Sequence, residues 1–269
     1  RGPVRSRRTD DVIKETEGFA RQGFKELVLT GIHLTSFKDK ETGADLMDLV
    51  RGISRVDGIE RIRLGSLDPE FITPRFVEFA GNTPKLCPHF HISLQSGSAA
   101  TLKRMNRKYT PDDYRRAVNA LREAVPDAAI TTDVMVGFPG ETREEFEESL
   151  AFCEEMEFLW AHVFKYSPRK GTPAARFKDQ VSPIEKEERS RAMIALAEKN
   201  REKFYRRFIG ASRKVLFEQP VPGSPGLVEG LTDNYIPVEA QLDEPVVGEI
   251  LPVRLMGING ERMTGVPED

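Results

Sequence analysis

A strand followed by a helix recurs along most of this chain, and that repeat limits the folds open to it more than any other feature. Strand centres fall near Leu27, Ile62, His91, Thr132 and His162, about 30 to 40 residues apart, each with a helical stretch behind it. Such spacing calls for a parallel sheet wound by right-handed crossovers. Helices are predicted from Thr9 to Gln22, with Thr9 as N-cap and Gly23 as the stop, and then from Asp45 to Val56 and from Thr73 through Phe79. Others are expected from Thr101 to Met105, Pro111 to Ala124, Glu141 to Met156 and Pro183 to Phe208. The chain opens on a helix where the repeat demands a strand, so one strand of the series is expected to be missing at the front.

Several strands are polar on one face. In PHFHISLQSG, Phe90, Ile92 and Leu94 would pack against helices, leaving His89, His91, Ser93 and Gln95 to face a lumen. A complete or partial β/α barrel suits this better than a doubly wound sheet. Arg61 and Arg63 alternate in the same way and belong either to the lumen or to a solvated rim.

The stretch AITTDVMVGFPGET, from Ala129 to Thr142, reads as a strand buried on both sides, then a turn, then an acidic helix start. Its period of two sets Ile130, Thr132, Val134 and Val136 on one face and Thr131, Asp133 and Met135 on the other. Gly137, Pro139 and Gly140 end it. Such a turn is either an ordinary loop or a place where backbone approaches a ligand at the carboxyl end of a strand. Asp133 beside it could hold a ribose hydroxyl or an ammonium, or be a buried carboxylate satisfied by its neighbours.

From about Gly210 the texture changes to short β segments: RKVLFEQ, GLVEGLT, NYIPVEAQ, GEILPVRLM and ERMTGV. These suit a small OB-like barrel. The expected division is a β/α barrel over residues 1–208 and a small β domain over 209–269.

Composition matters mainly for partners. At 39% hydrophobic and 31% charged residues the chain is globular, and its net charge of −3 provides no global basic field. RNA contact would need local patches. One is LKRMNRKYTPDDYRR, with Lys103, Arg104, Arg107, Lys108, Arg115 and Arg116 around Tyr109; others are SPRKGT, with Arg169 and Lys170, and the terminal RGPVRSRR. Each is either a solvated face or a phosphate-contacting rim. In the last domain, Arg213, Lys214, Arg254 and Arg262 stand against ten acidic residues, a net charge of −6 over Gly210–Asp269. That would repel phosphate unless the basic residues cluster. No apolar run approaches the ~20 residues of a membrane span, and no apolar segment follows RGPVRSRR to make a signal peptide. Cys87 and Cys153 give neither a disulfide framework nor metal-ligand spacing, which suits a cytoplasmic location. His89 and His91 share a strand face without a clear third and fourth metal ligand.

Taken in order, RGPVRSR, VLTGIHL, RIRLGSLDP, KLCPHFHISLQSG, LKRMNR, ITTDVMVGFPGET and HVFKYSPRKGTPA, followed by a β tail, resemble the radical S-adenosylmethionine methylthiotransferases. RGPVRSR and CPHFHISLQSG bring the chain nearest the branch acting on threonylcarbamoyladenosine beside the tRNA anticodon. The resemblance covers essentially the whole chain. It implies a partial barrel of the radical SAM type that holds S-adenosylmethionine on a 4Fe-4S cluster, a second 4Fe-4S cluster in a preceding domain, and a TRAM-like tail that holds tRNA. It further implies an electron-donor protein as partner. By the same resemblance Thr30 and Gly31 meet the methionine amino group, Ser93, Gln95 and Ser96 lie near the ribose and carboxylate, and Asp133, Gly137, Phe138 and Pro139 surround the nucleoside. Arg104, Arg107, Lys108, Arg169, Lys170, Arg213 and Lys214 become RNA contacts.

The family's CxxxCxxC loop lies just before RGPVRSR, where this chain begins. Cys87 and Cys153 cannot replace three clustered thiolates. The expectation is therefore an enzymatic parent and a chain that, alone, holds neither cluster and is inactive. The alternatives are a cluster-free RNA-binding module, or the same chemistry on isopentenyladenosine tRNA or a ribosomal-protein aspartate.

Overall fold

The computed structural model describes residues 5–242 and 246–268. Arg1 to Val4 of the terminal basic cluster and the acidic Asp243, Glu244 and Asp269 lie outside them. Helix α1 (Thr9–Arg21) leads into strand β1 (Glu26–Leu29), then α2 (Leu46–Ser54), β2 (Arg61–Leu64) and α3 (Pro74–Gly81). Next come β3 (His89–His91), α4 (Ala99–Arg104), α5 (Pro111–Ala124), β4 (Ala129–Val136), α6 (Arg143–Met156), β5 (Trp160–Lys165) and the long α7 (Pro183–Arg206).

All pairings among these strands are parallel. β1 pairs with β2, and β3, β4 and β5 pair in sequence order. Single bridges at Ile62–Leu86 and Leu67–Ile92 join the two groups into one curved series. This is a partial β/α barrel. Its core lies between sheet and helices, where Ile62, Leu64, Phe90, Ile92, Ile130 and Val134 pack with Phe76, Tyr114, Val118, Leu121 and Phe152. The alternation predicted for Phe90 and Ile92 and for Ile130 and Val134 puts these side chains into that core.

Capping follows the sequence in most helices. Asp45, Thr110, Thr142 and Ser182 each form a capping box with the residue three positions on. Helix α1 departs from expectation: Arg8 occupies the N-cap position and Thr9 is already helical. The cap comes from a distant side chain, as Thr9 N–H donates to Asp39 Oδ2 at 2.8 Å. That carboxylate also accepts from the amides of Glu41 and Thr42. Helix α6 likewise starts later than predicted, because Glu141 turns back over the preceding loop.

PHFHISLQSG is not one strand. Regular pairing stops at His91, since Leu94 N–H is taken by the Thr132 hydroxyl at 3.0 Å and Gln95 adopts a positive φ of 67°. Gln95 N–H then rejoins the sheet through the Asp133 carbonyl at 2.8 Å.

Strands β6 (Ser212–Pro220), β7 (Leu227–Thr232), β8 (Pro237–Gln241), β9 (Ile250–Asn259) and β10 (Arg262–Pro267) close into a small barrel in the order β10-β8-β7-β6-β9. Val215, Phe217, Val228, Val238, Val253, Leu255 and Met263 fill it. At Gly230 a Cβ would stand 2.1 Å from the Leu216 carbonyl oxygen, so only glycine lets β6 and β7 approach this closely beside their bulge.

Arg61 and Arg63 explain how the small barrel sits. Both are buried, and their guanidinium groups donate to the Lys214, Leu231, Thr232 and Asp233 carbonyls while pairing with Glu26. The small barrel therefore closes the amino-terminal end of the lumen. Arg213 adds a strut from β6, paired with Asp127 at 2.6 Å and Asp233 at 2.7 Å.

Candidate functional site on the concave sheet face

The concave face is polar at its closed end and open at the other. Near the floor lie Glu26, Arg61, Arg63 and His89, against Tyr235 of the small barrel. Higher up, His91, Thr131 and Asp133 meet in the middle of the sheet, and His162 stands beside Asp133 in the register of β4 and β5. Val28, level with Arg63 in the register of β1 and β2, is 56% exposed and Phe164, beyond His162 on β5, is 39% exposed, so apolar surface faces solvent inside the concavity.

Asp133 is half-buried with a polar neighbour on one side. The hydrogen bond from His91 holds its carboxyl below the usual carboxylate range, against the opposing pull of burial, and the charges of His91 and His162 add to the lowering. It is an ionised acceptor at neutral pH. His89 behaves oppositely: burial, helped by the Arg63 charge, holds it well below its ordinary titration range.

The residues named from the sequence fall into three groups. Thr30 and Gly31 are exposed and line a groove of about 800 Å3 with Arg5, Arg7, Phe19, Val28 and His33. Ser93 and Asp133 are half-buried on the concave face, with Ser93 Oγ 3.1 Å from Ser66 Oγ. Gln95 and Ser96 are buried. Gly137, Phe138 and Pro139 form a buried turn away from the groove: Phe138 packs against Tyr166 and Phe177, and a Cβ on Gly137 would stand 2.3 Å from Lys186 Cγ. The groove lining does not extend from Thr30 to Ser93, Asp133 or Gly137.

Glu141 organises that turn. Its carboxylate accepts from Gly137 N–H at 2.7 Å and from Arg189 Nη1 at 2.6 Å, in a pair buried on both sides. Burial raises its pKa, and Arg189 and the amide oppose the rise.

The basic residues divide as well. Arg107, Lys108, Arg169, Lys170 and Lys214 are exposed and without an acidic partner among the described residues. Arg104 is engaged by Glu145 and the Thr101 hydroxyl, and Arg213 by its two aspartates, so neither projects as a free cation. Tyr109 is no surface aromatic. It is buried, and its hydroxyl donates to the Ser93 and Leu94 carbonyls at 3.0 and 2.8 Å, pinning the irregular end of β3.

Sequence reasoning named Tyr109 only as an aromatic among basic residues and Thr131 only as a face residue, and it passed over Tyr235 and the Glu141–Arg189 pair. Thr131 alone carried a signal, since its alternation with Asp133 set both on the concave face.

An iron-sulfur cluster does not fit the residues present. Cys87 precedes β3 and Cys153 lies within α6; both are buried, and burial pushes each thiol up to about 12. Among the described residues no group of three or more histidine, cysteine or acidic side chains is placed to hold a metal ion. A ligand bearing hydroxyl and ammonium groups does fit Ser93 and Asp133 on the concave face, whereas Thr30 lines the separate groove.

The radical SAM superfamily matches the chain over residues 1–153. The chain is 38% identical over 259 residues to the threonylcarbamoyladenosine tRNA methylthiotransferase MtaB of Bacillus subtilis, a match covering 95% of this chain and 57% of that protein. It is 37% identical to the tRNA-2-methylthio-N(6)-dimethylallyladenosine synthase of Acetivibrio thermocellus, covering 95% of this chain and 53% of that one. It thus spans somewhat over half the length of these relatives. Among solved structures, the radical S-adenosylmethionine methyltransferase TsrM of Kitasatospora setae superposes with a TM-score of 0.51 at 18% identity, over 63% of this chain and 33% of TsrM. Coproporphyrinogen III oxidase (HemN) of Escherichia coli gives 0.50 at 18% identity, over 71% and 46%. With a family match across more than half of its length and a fold to suit, the chain belongs to the radical SAM superfamily.

Proposed function

We propose that this chain is the ligand- and RNA-binding portion of a cytoplasmic tRNA methylthiotransferase. The observation that carries the reading is the concave face closed at one end by a small barrel, with an ionised Asp133 midway along it and the Ser93 hydroxyl on the same face. Thr30, Gly31, Ser93 and Asp133 would hold S-adenosylmethionine, while the buried Gln95, Ser96, Gly137, Phe138 and Pro139 shape the loops around it. When bound, that cofactor supplies radical chemistry at an unactivated C–H bond. Asp133 accepts a hydroxyl or ammonium proton; the Arg107–Lys108 and Arg169–Lys170 loops contact phosphate.

The tRNA relatives divide between threonylcarbamoyl- and dimethylallyl-adenosine. We assign the threonylcarbamoyl branch, supported by RGPVRSR and CPHFHISLQSG. Mass spectrometry of tRNA nucleosides from a strain lacking the gene decides the matter. Loss of the methylthio form of threonylcarbamoyladenosine is expected; loss of the dimethylallyl form instead moves the substrate, and loss of neither ends the tRNA reading. The chain alone is expected to develop no four-iron absorbance on anaerobic reconstitution, and a stable cluster would contradict that.

A further inference from the structure

The concave face holds a run of side chains from the floor to Asp133, hydrogen-bonded as far as His91, with Asp133 in contact beyond it. His89 Nε2 and His91 Nδ1 each lie 3.0 Å from Thr131 Oγ1, and His91 Nε2 lies 3.4 Å from Asp133 Oδ2, the loosest of the links. His89 Nδ1 is buried with no partner among the described residues.

The proton positions follow from counting donors. Thr131 has one O–H to donate. If it pointed to His89, the neutral His89 ring would carry its proton on the buried Nδ1, an N–H with nothing to receive it. His91 would then have to donate from Nδ1 and turn a bare Nε2 toward the Asp133 carboxylate, lone pair against lone pair. With the opposite direction every proton has an acceptor: His89 Nε2–H donates to Thr131, Thr131 O–H to His91 Nδ1, and His91 Nε2–H to Asp133. Burial and the Arg63 charge keep His89 neutral, so it has one N–H to place.

The run begins at the domain boundary. The Tyr235 ring stacks on His89 with centroids 4.2 Å apart and planes 12° from parallel. Tyr235 itself is held at a φ of 71°, a left-handed conformation unusual for a tyrosine, with its N–H on the Thr232 carbonyl and Arg63 over its ring at 5.1 Å. The small barrel thus presents this ring from a constrained turn.

We propose that the small barrel sets what the lumen carboxylate faces: Tyr235 fixes the His89 ring, and the His89–Thr131–His91 hydrogen bonds fix the tautomer that turns His91 Nε2–H toward Asp133. His89, Thr131, His91 and Tyr235 are positioning residues, and only Asp133 faces a ligand. The inference rests on the geometry of the face and needs no cofactor, so its test stands apart from the tRNA reading.

Correlation of imidazole nitrogens with ring protons, on the full chain near neutral pH, reads the arrangement. His89 and His91 are both expected with Nε2 protonated and Nδ1 bare. Thr131→Val removes the link and His91 loses its single tautomer, while Thr131→Ser restores it. Tyr235→Leu disturbs the His89 and His91 nitrogen shifts, whereas Tyr235→Phe, which keeps the ring, does not. Tyr235→Leu, on the other domain, carries the test if Thr131→Val does not fold. A proton on Nδ1 of His91, or on both its nitrogens, overturns the proposal, as does a His91 signal indifferent to Tyr235→Leu.

Discussion

Asp133 shows how far a single residue can be read from sequence. Alternation set it on the same face as His91, and the structure adds that His91, itself hydrogen-bonded to Thr131, lies 3.4 Å from its carboxylate. Tyr109 shows the limit. Among six basic residues it read as an aromatic on an RNA rim, yet its hydroxyl serves the carbonyls of Ser93 and Leu94, a contact sixteen residues distant that no local pattern encodes. The cysteines carry the prediction at this scale. A thiol reagent attacks the thiolate, and burial has pushed both groups up to about 12. A disulfide reagent at pH 8 is expected to titrate no thiol in the native chain and two after denaturation; rapid native reaction would show that these thiols are accessible.

At the scale of elements, the helices were legible because their caps are local, as at Asp45, Thr110, Thr142 and Ser182. The misplaced starts of α1 and α6 have separate causes: the amino end of α1 is capped by the distant Asp39, whereas at α6 Glu141 is held back over the preceding loop by Gly137 and Arg189, and Thr142 becomes the cap. Hydrogen bonds from the Thr9 and Glu41 amides lower the Asp39 carboxyl far below its ordinary value of 3.8. Its contribution to stability is therefore complete above that ordinary value and is lost as pH falls through the lower, folded one. Protection of the α1 amides, relative to their intrinsic exchange rates, is expected to fall on acidification, and Asp39→Asn should remove much of that dependence; an identical pH profile in the variant would refute the cap. Arg189→Met leaves the Glu141 carboxylate buried without its counterion and should cost about 3–5 kcal/mol by denaturant unfolding. Glu141 has the opposite sign of pH dependence: its folded pKa lies above 4.5, so its contribution declines as pH rises through that interval.

For the whole molecule, the βα repeat fixed the parallel order of the sheet, but nothing in it revealed that Arg61 and Arg63 would seal the lumen floor against another barrel. Charge is decided at this scale too. Arg213, Arg254 and Arg262 are all paired with acids, so the small barrel offers phosphate little beyond Lys214. RNA affinity should depend on the exposed loops: replacing Arg107, Lys108, Arg169 and Lys170 by alanine is expected to flatten the salt dependence of anticodon stem-loop binding, by up to about one unit of slope for each phosphate that these side chains neutralise. An unchanged slope would move the RNA elsewhere. The sealed floor also has a consequence in time. Each βα unit closes over a short loop, whereas Arg61 reaches Leu231 across 170 residues of chain. During synthesis, which delivers the amino-terminal part first, two guanidinium groups and Glu26 wait in a nearly finished sheet for carbonyls that emerge last. Until Leu231 to Asp233 leave the ribosome the lumen is an open tube, and its floor is laid only when the final strands fold.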